Sequence, residues 1–129
     1  MSSPVPALLV LRRVPDDRRD LAAAMAGLPP GADGDVWWEL VDAAAPAGQP
    51  AAGVALTRRA GGVTHIVTLA AVSTLDRDLL THLVRQLVAA LRRTDTGAIS
   101  IRGGRPDVDD ALLTEDFVRT DHRTYVLHL

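Results

Sequence analysis

The sequence contains no cysteine and no lysine. Without thiols it has no disulfides, no thiolate metal site and no cysteine nucleophile. Without lysine it has no Schiff-base chemistry and no phosphate-loop lysine. All fourteen basic residues are arginine. Beside abundant Ala, Gly and Asp, that bias reflects a GC-rich coding sequence, so arginine content alone does not argue for nucleic acid. The doublets Arg12-Arg13, Arg18-Arg19 and Arg92-Arg93 form no single stripe and have no interleaved aromatics, and the net charge is −2. No nucleic-acid partner is expected. No run is long enough to span a membrane. The apolar stretch from Val5 to Leu11 is broken by Pro6 and closed by Arg12, without a basic flank or a small-residue cleavage site. A cytoplasmic protein without membrane attachment is expected.

What is present is 129 residues, 47% of them hydrophobic and only 3% aromatic. This suits one domain over residues 1–129. Ala7 to Val14 reads as a strand, ended by Pro15. Asp16-Asp17 opens a helix with an apolar stripe of Leu21, Ala24, Met25 and Leu28, stopped by Pro29-Pro30-Gly31. Asp35 to Ala43 alternates as a strand. Ala52 to Arg59 and Val63 to Val72 form further strands around the turn Ala60-Gly61-Gly62. The second is apolar almost throughout, so it is expected in the centre of a sheet, covered on both faces. Leu79, Leu80, Leu83, Val84, Leu87, Val88 and Leu91 recur at helical spacing. Ser73 and Asp76 resemble its capping box, and Gly97 closes it. Gly97 to Arg102 is a short strand, Asp107 to Glu115 a short helix and Arg123 to Leu129 a final strand. The order β-α-β-β-β-α-β-α-β is that of an α/β (α+β) fold, a mixed sheet flanked by helices.

Several segments, each at its expected place, resemble the GNAT N-acetyltransferase superfamily. LVLRRVPDDRRDLAAAM resembles the opening strand and helix. WWELVDA and PAAGVALTRRAGGVTHIVTLAAV resemble the antiparallel meander, and LLTHLVRQLVAALRR the long helix that follows. GAISIRG, DDALLTEDFVRT and RTYVLHL resemble the closing strand-helix-strand. The resemblance implies a mixed, mostly antiparallel sheet and an acyltransferase using acetyl-CoA or another acyl-CoA. The acyl donor would lie against Leu69, Ala70, Ala71 and Val72 at the splayed end of the central strand. Arg77 would be a phosphate ligand.

Three departures accompany this resemblance. The connection STLDRD between Val72 and Leu79 has no glycine, where the family carries a glycine-rich loop whose N–H groups cradle a pyrophosphate. Asp76 and Asp78 put negative charge at that helix end, and plain capping and solvation of the helix suits Asp76, Arg77 and Asp78 better than a phosphate site. Asp116 stands where the family often has the glycine of a Gly-Phe pair, with Phe117 following. Leu112 then occupies the position of the tyrosine acid.

His65 lies where some family members place a general base; the alternative is a hydrogen-bonded strand histidine. Tyr125, the sole tyrosine, is a candidate acid or a packing residue. Adjacent Trp37 and Trp38 must point to opposite faces of a strand, so one is expected outward as a substrate or partner surface. His82 is expected to face solvent. His65, His82, His122 and His128 form no HxH or HxxxH pair, and Asp107, Asp109 and Asp110 match no calcium loop, so no metal is expected. Gly103-Gly104-Arg105 resembles a phosphate turn only faintly. Ser73 and Ser100 lie in no Gly-x-Ser-x-Gly elbow.

Three functions fit. The first is a divergent N-acyltransferase acting on a small-molecule amine or a protein N-terminus. The second is a non-catalytic module for a protein partner or homodimer, lacking the pyrophosphate loop. The third is a small-molecule enzyme or binding protein using the same cleft between the Val63–Val72 and Gly97–Arg102 strands.

Overall fold

A computed structural model describes residues 9–29, 34–43, 51–71, 77–121 and 123–129. Its strands are β1 (Leu9–Arg13), β2 (Asp35–Asp42), β3 (Gly53–Ala60), β4 (Val63–Ala71), β5 (Ala98–Arg102), β6 (Val118–Arg119) and β7 (Thr124–His128). Its helices are α1 (Arg19–Ala26), α2 (Arg77–Arg92) and α3 (Pro106–Thr114), with a 3-10 turn at Asp16–Arg18 before α1. The strands form one seven-stranded sheet in the order β1-β2-β3-β4-β5-β7-β6. Every pairing is antiparallel except β4 with β5. The expected element order is present. The short β6 is additional, and two residues give no periodicity from which to read a strand.

Alternation along the strands gives the sheet two apolar faces. On one, α2 buries Leu80, Leu83, Val84, Leu87 and Leu91 against Trp38, Leu40, Ala55, Ile66, Leu69 and Ile99. The helix α3 adds Val108, Ala111 and Leu112 to the same core. On the other face, Ala22 and Ala23 of α1 pack with Trp37, Val54 and Leu56. This corrects the expected stripe in part: Met25 packs against this core, but Leu21 is 64% exposed and Leu28 37%, and two alanines make the buried contact. Small side chains let the α1 backbone lie close over the Trp37 ring. Gly27, at φ 70°, ends α1, so the stop comes before Pro29. Gly97 does not cap α2. It opens the way into β5, its N–H donating to the Gly62 carbonyl at 2.8 Å.

Both tryptophans are buried, Trp37 at 3% and Trp38 at 7% exposure. They do point to opposite faces, but α1 covers one and α2 the other, so neither forms an outward surface. The Trp38 indole donates to Thr57 Oγ1 at 3.0 Å, and the Arg13 guanidinium lies 5.6 Å from its ring centre. His82 is half-buried and bonds the Leu9 carbonyl at 3.2 Å, joining α2 to β1.

Glu39 is a buried carboxylate at 2% exposure. Arg12 of β1 donates to one oxygen at 2.8 Å, and Arg18 of the 3-10 turn donates twice to the other, at 3.1 and 3.0 Å. The cluster ties β1, β2 and the approach to α1 together. The end of α3 is closed by Asp116 at φ 72°, with Phe117 N–H donating to Leu112 O and Asp116 N–H to Leu113 O. This left-handed cap is a place that suits glycine.

Glu39→Ala leaves two guanidiniums without their buried partner and is expected to lower unfolding free energy by about 3 kcal/mol in urea titration. Asp116→Gly relieves a left-handed side chain and is expected to raise it by about 0.5–1 kcal/mol.

Candidate functional site

The parallel ladder between β4 and β5 covers only four pairs, from Val63↔Ala98 to Ile66↔Ile101. At that point the β3–β4 register shifts: Thr57 faces Ile66, but Leu56 faces Thr68. Val67 is the extra residue of a β-bulge, which bends the strand that carries it. Beyond Ile66, β4 runs on to Ala71 paired with β3 alone. The two central strands therefore diverge, and a cleft of about 150 Å³ opens between them.

Val67, Thr68 and Leu69 line one wall. Ile101, Arg102, Gly103, Gly104, Arg105 and Val108 line the other. The second wall is held where β5 turns into α3. Gly104 N–H donates to Asp109 Oδ1 at 3.1 Å, and Gly103 N–H donates to Arg123 O at 2.6 Å. A Cβ on Gly103 would lie 2.5 Å from the Tyr125 ring and closer still to Asp109 Oδ1, so only glycine fits this close approach. Arg105 donates to Asp107 Oδ2 at 3.0 Å, and this bond holds the Asp107 carboxyl below the ordinary carboxylate range. The acids at the start of α3 thus serve the turn.

The central strand is not covered on both faces. One side of β4 is buried, while His65 and Val67 are exposed on the other; α1 contacts β2, β3 and β4, where Ala70 joins its core, but no comparable contact with β5 among the described residues extends that cover. His65 Nδ1 is hydrogen-bonded to Ser100 Oγ across the last rows of the ladder. Arg58, opposite His65 in register, makes a two-point ion pair with Asp35, at 2.8 and 2.9 Å; Asp35 raises the Arg58 pKa above its ordinary value.

Of the expected donor-binding residues, Leu69 lines the cleft. Ala70 and Ala71 do not: they pair with Val54 and Gly53 and pack into the two cores. The strands separate at the bulge, before these alanines are reached. Val72, with the Ser73–Asp76 cap, lies outside the described residues, and so does His122. Arg77 begins α2. Tyr125 is 5% exposed, packed in the α2-side core, and does not line the cleft. Its register partner Ile101 carries it to that side, so the expected acid is a packing residue. Val67, Thr68, Gly103 and Gly104 are not legible as wall residues from the sequence. It carries one signal of them, the step of three between buried Ile66 and Leu69, out of phase for a regular strand.

No protein-family model matches the chain, and no curated protein matches it in sequence. Solved structures do match in shape. The ribosomal-protein-S18-alanine N-acetyltransferase of Escherichia coli superposes with a TM-score of 0.67 at 11% identity, over 92% of this chain and 91% of that one. Arabidopsis thaliana NAA60, in complex with a bisubstrate analogue, gives 0.70 at 12% identity, over 94% and 99%. The aminoglycoside acetyltransferase AAC(6')-Ib, in complex with coenzyme A, gives 0.68 at 17% identity, over 93% and 94%. The chain has the GNAT N-acetyltransferase fold. Within the GNAT fold, β4 and β5 part beyond Ile66, and α2 follows β4 in the chain from that end. Among the described residues no cluster of three metal-ligating side chains occurs, and no helix is long and apolar enough to cross a membrane.

Removing the guanidinium in Arg105→Ala is expected to raise the Asp107 pKa toward the ordinary carboxylate range, read by NMR titration. The wild-type pair stabilises the fold above that range. Its contribution is lost in acid, as pH falls through the depressed Asp107 value, whereas Arg105→Ala shows no such loss.

Proposed function

We propose that this chain is an N-acyltransferase that moves an acyl group from an acyl-CoA to an amine. The observation that carries the reading is the separation of β4 from β5 at the Val67 bulge, in a fold shared over most of its length with acetyltransferases, one of them in complex with coenzyme A. From Val67 onward the β5-side backbone edge of β4 has no strand partner among the described residues. Such an edge offers N–H and C=O groups to an extended ligand that carries amides, and the pantetheine arm of an acyl-CoA is one. The thioester would then lie between Val67–Leu69 and Gly103–Gly104, with acyl-CoA consumed as a substrate.

His65 is the base in this reading. When Nδ1–H donates to Ser100 Oγ, Nε2 keeps its lone pair on the open side of the sheet. The amine nitrogen attacks the thioester carbonyl, the C–N bond forms and the C–S bond breaks. The proton from the amine passes to His65, and the leaving thiolate is protonated from solvent, since neither Leu112 nor buried Tyr125 supplies an acid. Holding the two reactants together in the cleft contributes through orientation. The burial of both tryptophans removes the outward tryptophan on which the binding-module alternative rested.

Titration calorimetry is expected to show acetyl-CoA binding, weakened about tenfold by Val67→Trp, which fills the mouth of the cleft from an exposed position. Absence of heat and of thermal protection at millimolar acetyl-CoA overturns the reading.

A further inference from the structure

Arg102 ends β5 and lines the cleft. Alternation places its side chain on the same sheet face as Ser100, and Ser100 shares a register row with His65. That face is opposite α2. Arg12 and Arg18 are engaged by Glu39, Arg58 by Asp35, Arg85 by Glu115 and Arg105 by Asp107. The Arg102 side chain has no hydrogen bond or ion pair among the described residues. The described residues lining the cleft include two arginines and no carboxylate. A polycationic acceptor would meet Arg102 with nothing to balance its own charge. A carboxylate would find a planar two-point donor.

The surroundings of Arg102 are apolar. Val67 is 41% exposed beside it, and Val126 pairs with Ser100 on the same bare face, next to Val118 at 64% exposure. Ser100 and Arg102 are one side-chain repeat apart, about 7 Å along the strand. A small molecule can reach from the His65–Ser100 row to the guanidinium.

We propose that the amine acceptor carries a carboxylate and an apolar side chain, an amino acid by class, and that Arg102 binds its carboxylate while its amine faces His65. The proposal rests on the acyltransfer reading for what happens to that amine, but the binding site stands on its own geometry.

The test is therefore direct binding to the full chain, followed by two-dimensional amide NMR. L-leucine and L-leucinamide, which differ in the carboxylate, are titrated in parallel, with spermidine as a polycation. Leucine is expected to shift the Ser100 and Arg102 amides and to bind about tenfold more tightly than leucinamide. Arg102→Gln is expected to erase that difference, and Arg102→Lys to restore part of it, both with wild-type melting temperatures because the residue is exposed. Equal binding of acid and amide, no leucine binding at millimolar concentration, or tighter binding of spermidine overturns the proposal. If leucine binds through Arg102 but acetyl-CoA does not bind, the acyltransfer reading falls and the carboxylate site remains. If acetyl-CoA binds and leucine does not, the reverse holds.

Discussion

A parallel pair of strands can stay together only while both keep the same pleat and twist. Here β4 and β5 do so from Val63 to Ile66 and then part, because an extra residue at Val67 bends β4 away while β3 still holds it. The cleft seen among the described residues follows from this divergence. The divergence frees one backbone edge of β4, exposes the Gly103–Gly104 turn and brings Arg102 to the rim.

The rest of the molecule holds this opening in place. On one side α2 and α3 share a single core with β1 to β5 and β7 and bury Leu80, Leu83, Val84 and Leu112. That core fixes the floor of the cleft through Ile101 and Val108. On the other side α1 covers only part of the sheet, and the Glu39 ion cluster anchors its approach. The uncovered part carries His65, Ser100 and Arg102. Unequal cover of the two faces separates a packed side from one open to an acceptor.

The long helix from Leu79 to Leu91 is readable from the sequence because neither a strand nor a loop repeats an apolar stripe at three-and-four spacing over so many residues. The three meander strands are readable from their alternation and turns. The α1 stripe misleads because Leu21 and Leu28 outrank alanine in hydrophobicity, whereas a close helix-on-sheet contact over Trp37 selects for small size. The two tryptophans mislead for a related reason: alternation says that neighbours face opposite ways, but not that a helix covers both sides. The place of Tyr125 depends on its register with Ile101, which no local pattern records.

The sequence by itself determined the order of elements, the absence of thiol and amine side-chain chemistry, and the apolar sets that become the cores. These are local properties of composition and period. Only the tertiary structure decided where the sheet opens, that Gly103 must be glycine against Tyr125 and Asp109, and that His65 meets Ser100 while the Arg102 side chain stays unpaired among the described residues. Each of these depends on strand register between residues far apart in the chain, and register is set by how the whole sheet packs.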